Sequence, residues 1–265
     1  MPFTSKLYYI CKRIIHSLPV RQIESIISPE FIASIQKTNL TELKEILAVP
    51  FQLSDKTVDI IANCTKLVQF SKDELLIEQG RTCDKIYFIA SGIVRMYYSY
   101  DGNEDVRLFA LEGDIITSVS SFAFASKSVF NYSAMCETKA YVMTFDDMRR
   151  VFRESHEFQQ WTAHSLFGQI GSLEYRYLYS GIGNALLRYA SFITNRPKDI
   201  IDRIPLKHLA SYLKMTPQTL SRIRRQYIHM TDSEKAALNV SHKEYGNNIN
   251  MRYSAFDDIN TTDCI

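Results

Sequence analysis

The spacing of apolar residues changes character several times along the chain, and each change predicts an element. Residues 54–64, SDKTVDIIANC, predict a helix with Ser54 as its N-cap. From 65 to 144 the chain turns to short runs rich in β-branched and aromatic residues: TKLVQF, KIYFIASG, IVRMYYSY, VRLFAL, DIITSV, YSAMC and KAYVMTF. Gly80, Gly92, Gly102 and Gly113 punctuate them at spacings of 12, 10 and 11, an interval that predicts a β-sandwich or barrel. Asp101-Gly102-Asn103 sits between two of the runs as a hairpin turn. No proline lies between Pro50 and Pro197, consistent with uninterrupted sheet followed by a long helix. Residues 145–179 then return to helical spacing. Ala163, Leu166, Ile170, Leu173 and Tyr177 step by three and four, the a/d pattern of a helix–helix seam, with Phe158 and Trp161 adding apolar surface upstream. Ser180-Gly181-Ile182-Gly183 follows as a hinge, and a further helix is predicted over 184–194.

The stretch 205–225, PLKHLASYLKMTPQTLSRIRR, carries two short helices with opposite kinds of face. The first aligns Leu206, Leu209, Ala210 and Leu213 in one apolar stripe, and a break follows at Lys214-Met215. Thr216 is a good N-cap, and Pro217 stands at the first helical position, where its missing N–H does no harm. The second helix turns Leu220, Ile223 and Tyr227 inward and leaves Gln218, Ser221, Arg222 and Arg225 on its other face, with Arg224 beside them. An amide and arginines on the free face of a braced helix suit the DNA major groove. Arginine can pair with guanine O6/N7 and glutamine with adenine N6/N7, while the hydroxyls and the remaining arginines suit phosphates.

Charge distribution strengthens that reading more than total charge does. The 265 residues sum to only +2, yet residues 198–225 hold seven Lys/Arg against two Asp, a net of +5, while residues 226–265 carry three against six, a net of −3. Five scattered cysteines never form a CxxC pair, which speaks against a disulfide scaffold or a local metal site and fits a reducing cytosol. The apolar run from Leu7 to Cys11 is ended by Lys12-Arg13, too short for a signal-peptide core, and no apolar span of about 20 residues occurs. A cytoplasmic protein without a membrane partner is expected. The six histidines form no HxxxH or HExxH, and neither GxSxG nor a phosphate-binding glycine loop is present. The expectation is therefore not an enzyme, with no cofactor and no metal.

The order of these parts resembles the Crp/Fnr superfamily of bacterial transcription regulators: an N-terminal β-roll, a long heptad helix, a glycine hinge and a C-terminal helix-turn-helix. The resemblance covers about residues 50–228 and rests most on KIYFIASGIVRMYY and IPLKHLASYLKMTPQTLSRIRR. It implies an α+β fold: a jelly-roll-like cyclic-nucleotide-binding-type roll flanked by helices, a dimerisation helix and a winged-type helix-turn-helix. The corresponding divisions are a helical extension at 1–50, the roll at 51–155, the dimerisation helix at 156–180, the helix-turn-helix at 181–228 and a mobile tail at 229–265. It further implies a homodimer that binds double-stranded promoter DNA and contacts RNA polymerase, with Gln218 and Arg222 at base-contacting positions and Thr216, Thr219, Ser221, Arg224 and Arg225 suited to the DNA backbone.

Three departures from the family stand out, the first being Pro217, at a position often occupied by a base-reading arginine whose work proline cannot do. Lys214 occupies the turn position where a left-handed glycine is usual, at a cost on the order of 1 kcal/mol. Members that bind cyclic nucleotide use a Gly-Glu and then an Arg; here Thr117-Ser118 and Ser128 stand at those places, with Lys127 expected to point the other way. The apolar Val119, Phe122, Phe124, Val129 and Phe130 are expected to line that site, and a packed interior is the favoured reading. The expected protein is a dimeric, sequence-specific DNA-binding transcription regulator that does not respond to cyclic AMP, its effector unidentified. The rival is a ligand- or partner-sensing roll whose helix-turn-helix docks protein.

Overall fold

The computed structural model describes Leu43, residues 53–181, 184–194, 198–236 and Leu238. The helices expected within 1–50, the last two hinge positions and the acidic end of the chain lie outside the described residues. Helix α1 (Asp55–Asn63) opens as anticipated, with the Ser54 side chain accepting from the Thr57 amide. Eight strands follow: β1 (Lys66–Phe70), β2 (Leu75–Ile77), β3 (Lys85–Ser91), β4 (Ile93–Tyr100), β5 (Asn103–Leu111), β6 (Ile115–Ile116), β7 (Asn131–Ala134) and β8 (Thr138–Thr144). They make two four-stranded sheets, ordered β1-β8-β3-β6 and β2-β7-β4-β5, with antiparallel pairing throughout.

Alternation along the strands sorts the side chains between three apolar clusters. Tyr87 and Ile89 of β3 point into the space between the sheets, where they meet Ile77, Val94, Ala110, Tyr132 and Ala134. Their neighbours Ile86, Phe88 and Ala90 point outward, beneath α1 and the helices after β8. Both faces of β3 are thus buried, which accounts for its continuous hydrophobic run. The outer face of the second sheet is apolar as well. A register slip between Met96 and Tyr97 leaves Arg107 without a cross-strand partner, so that Val106 and Phe109 both face outward with Ile93 and Tyr97. That face is covered by the C-terminal helices.

Two tight turns explain the glycine punctuation. The β4–β5 hairpin turns through Asp101 at φ 48° and Gly102 at φ 76°, as the Asp-Gly signal requires. Gly92, between β3 and β4, has φ +105°, and a Cβ built there would lie 2.4 Å from Thr138 Oγ1 and 2.8 Å from Thr138 Cα. Only glycine fits.

The sequence pattern is refined in three places. Strand β2 has three residues, too few to display alternation. The run DIITSV yields only the two-residue β6 before helix α2 (Val119–Phe124), which ends at Ala125 in a left-handed conformation. The helical stretch after β8 divides into α3 (Phe145–Glu154) and α4 (His156–Gly181). Ser155 makes the break: its backbone is extended, its hydroxyl meets Thr57 Oγ1 at 2.9 Å, and it accepts from the Phe158 amide at 3.1 Å. Helix α4 then runs 26 residues, about 39 Å at the usual rise, with Phe158 and Trp161 buried against the first sheet. Among the described residues no helix is long and apolar enough to cross a membrane.

Candidate nucleic-acid interface

Among the described residues, four helices come after the roll and α4: α5 (Ala185–Thr194), α6 (Lys198–Arg203), α7 (Leu206–Tyr212) and α8 (Pro217–His229). The apolar stripe of α7 is buried at Leu209, Ala210 and Leu213, and Leu220 and Ile223 of α8 are buried in the same cluster. Tyr227 packs edge-on to Tyr189 of α5, ring centroids 5.7 Å apart. The link between α7 and α8 is a tight turn in which Lys214 adopts φ 55°, the left-handed position where the family resemblance places glycine. Arg188 of α5 braces this turn by donating from Nε to the Leu213 carbonyl at 2.9 Å. Thr216 then caps α8, its hydroxyl accepting from the Thr219 amide at 3.1 Å, with Pro217 in the first turn.

With that inner face fixed, the outer face of α8 is fixed too. Thr216, Gln218, Arg222 and Arg225 carry the solvent side, and Thr219, Ser221 and Arg224 lie along its flanks. Among the described residues, no hydrogen bond or ion pair engages the side chain of Gln218, Arg222, Arg224 or Arg225. The wing implied by the resemblance has no counterpart among the described residues, where no strand occurs after β8. Instead Thr231 and Glu234 cap one another, the Thr231 amide donating to Glu234 Oε2 at 2.7 Å and the Glu234 amide to Thr231 Oγ1 at 3.3 Å. This capping box starts a helical turn over 232–236, inside the segment expected to be a mobile tail.

The seam positions lie on the other side of α4 from Phe158 and Trp161. Ala163 is exposed, and Leu166, Ile170 and Leu173 remain 46–55% exposed on the single chain. Phe167, which the a/d pattern did not select, is 65% exposed beside them. The side chain of Tyr177 lies outside the described residues.

The cassette region departs from expectation in its lining. Val119 and Phe124 are largely exposed, because the helix α2 that forms there turns them out of the roll, and Val129, in the bend that follows the Thr82–Lys127 bridge, is exposed as well. Phe122 packs edge-on to Phe145, and Phe130 packs at the edge of the inter-sheet cluster. The buried positions are Ser118, Ser121 and Ser128. Thr117 donates to the Lys85 carbonyl at 2.9 Å, and Ser121 accepts from the Cys83 amide. Ser128 donates its hydroxyl to the Phe130 carbonyl and its amide to the Arg81 carbonyl, both at 2.8 Å. Lys127, its neighbour, is exposed. Inside, Tyr87 and Tyr132 donate to the Leu76 and Thr117 carbonyls at 2.7 and 3.1 Å. Burial raises both phenols, Tyr132 to about 12, so they stay protonated donors.

Comparison with known proteins matches this architecture. Residues 67–155 match the family described as the cyclic nucleotide-binding domain. The Anaerobic regulatory protein of Haemophilus influenzae is 25% identical over 194 residues, 67% of this chain and 73% of that protein. Among solved structures, FixK2 from Bradyrhizobium japonicum superimposes with a TM-score of 0.52 at 18% identity, over 61% of this chain and 83% of that one. A CooA mutant from Carboxydothermus hydrogenoformans gives a TM-score of 0.51 at 18% identity, over 70% of this chain and 83% of that one. The two structures share the fold: a β-roll of the cyclic-nucleotide-binding type with flanking helices.

Proposed function

We propose that this chain is a dimeric, sequence-specific DNA-binding transcription regulator of the Crp/Fnr type that does not respond to cyclic AMP. The observation that carries the proposal is the face of α8: a capped helix, braced by α7, that presents Gln218 and Arg222 one turn apart and leaves the Arg225 side chain exposed. Gln218 and Arg222 read base edges in the major groove; Thr216, Thr219, Ser221, Arg224 and Arg225 hold phosphates. Helix α4 pairs with its symmetry mate through Ala163, Leu166, Ile170, Leu173 and Tyr177, setting two α8 helices against successive major grooves. The relative from Haemophilus influenzae, a regulatory protein by name, supports this reading, as does the fold shared with FixK2 and CooA. By the same resemblance the protein works in the cytoplasm, contacts RNA polymerase and is not an enzyme. Its roll lacks the carboxylate and arginine that a cyclic nucleotide needs, because Ser118 and Ser128 stand at those places and are buried, Ser128 with an internal partner.

Selection of bound duplexes from a random library tests the proposal. The expected product is a near-palindrome with half-sites about 34 Å apart, one helical turn. Recovery of no enriched sequence, or of an asymmetric single site, contradicts it.

A further inference from the structure

The C-terminal helices are anchored to the outer face of the β4–β5 hairpin by an apolar cluster and three polar contacts. Arg95 lies within the interface, 8% exposed, its guanidinium 4.2 Å above the Tyr97 ring. It donates to Ser133 Oγ at 3.0 Å, grips both Glu104 carboxylate oxygens, and donates from Nη1 to His208 Nδ1 of α7 at 3.1 Å. Arginine has no acceptor, so His208 presents a lone pair at Nδ1 and is neutral. A second contact links Ser211 of α7 to β5: its hydroxyl accepts from the Val106 amide at 3.0 Å and donates to the Glu104 carbonyl at 3.2 Å. In the third, Lys214 bridges to Asp105. The left-handed lysine that the turn tolerates at some cost therefore reaches back to the roll, which a glycine could not do.

These contacts close a structural loop. Helix α4 packs on one sheet through Phe158 and Trp161, while α7 packs on the other, with Leu209 and Ala210 among Val106 and Phe109. The orientation of α8 relative to α4 is thus set through the body of the roll as well as through the chain after Gly181. The docked arrangement leaves Gln218, Arg222 and Arg225 on the solvent side, so it does not block the reading face.

We propose that Arg95, Glu104 and Asp105 of the β4–β5 hairpin are positioning residues for DNA reading, holding α7 so that the two α8 helices of a dimer keep the spacing that one site requires. The proposal rests on the DNA-binding reading above. Both readers must be docked to engage one site, so a docked fraction of about one third per protomer lowers specific affinity about tenfold. Contacts with random DNA, made by one reader at a time, change far less.

Two roll-side variants, Arg95→Met and Asp105→Asn, test this on the full chain. Hydrogen exchange at the Val106 amide reports docking, and binding to a selected duplex and to a random one reports function. The expected result is faster Val106 exchange, specific affinity down about tenfold for Arg95→Met, and random-duplex affinity within about twofold. Unchanged exchange, or faster exchange with equal or tighter specific binding, overturns the proposal. If Arg95→Met fails to fold, Asp105→Asn still decides, since Asp105 and Lys214 are both partly exposed. A native chain that binds no duplex refutes the DNA-binding reading instead, and is recognised by that result in the unmutated protein.

Discussion

Replacing Ile170 and Leu173 by aspartate tests the dimer seam at a predictable cost. Leu166, Phe167, Ile170 and Leu173 are each about half exposed on the single chain, at 46, 65, 51 and 55%. Full burial of such a side chain contributes about 1.5–3 kcal/mol, so covering the exposed half contributes about 1 kcal/mol each. A two-fold seam counts every residue twice. Ile170→Asp therefore removes about 2 kcal/mol of burial from the dimer and adds two carboxylates at about 1 kcal/mol or more apiece, some 4 kcal/mol in all. That weakens dimerisation roughly a thousandfold. The protomer is spared, because an exposed position tolerates substitution within about 0.5 kcal/mol. Sedimentation equilibrium should show a native dimer and a folded, monomeric Ile170→Asp, Leu173→Asp variant. A double variant that sediments as a dimer at the native concentration refutes the seam.

Three further outcomes are expected. Titration calorimetry with millimolar cyclic AMP should give no binding heat if, as proposed, Ser128 and Ser118 stand in place of the arginine and the carboxylate; a micromolar dissociation constant contradicts the assignment. Burial, helped by Arg95 and Lys207, lowers the His208 pKa to about 4, below the unfolded value of 6.5. The unfolded chain then takes up the proton first, so stability is held above pH 6.5 and falls between 6.5 and 4, by on the order of 1 kcal/mol after allowing for partial exposure. Urea midpoints at about pH 7 and about pH 4.5 should diverge more for the native chain than for His208→Gln, and parallel losses exclude the effect. Gly92→Ala should cost about 3 kcal/mol in urea unfolding, since it combines a left-handed backbone with a clash against the Thr138 backbone; a loss under about 0.5 kcal/mol refutes that steric argument.

Much of the fold was legible because its signals are local. Hairpin chemistry at Asp101-Gly102, the caps at Ser54 and Thr216, and the apolar stripe of α7 each depend on a few neighbouring residues, and each lies where the pattern put it. Short elements were not legible. Val119 and Phe124 look like pocket lining in an extended chain, and only the turn of α2 sends them outward. The docking of α7 on the roll was hidden for another reason. Arg95, Glu104, Ser211 and Lys214 lie on segments about 100 residues apart, and alone each reads as an ordinary polar residue. A strand with Arg95 amid Ile93, Val94 and Met96 was the available hint, since a charge in so apolar a run must find partners.

The most direct test of the central claim is the binding of duplex DNA by the native chain, Arg222→Ala and Arg225→Ala across a salt series. The native protein should bind random duplex with an affinity that falls steeply with salt, and its selected duplex more tightly. Arg222→Ala should lose about 1–3 kcal/mol on the selected duplex while keeping its random affinity. Arg225→Ala should weaken both alike and reduce the salt slope by about one. No binding by the native chain at low salt, or equal loss on both duplexes for Arg222→Ala, contradicts the assignment of α8 as the reading helix.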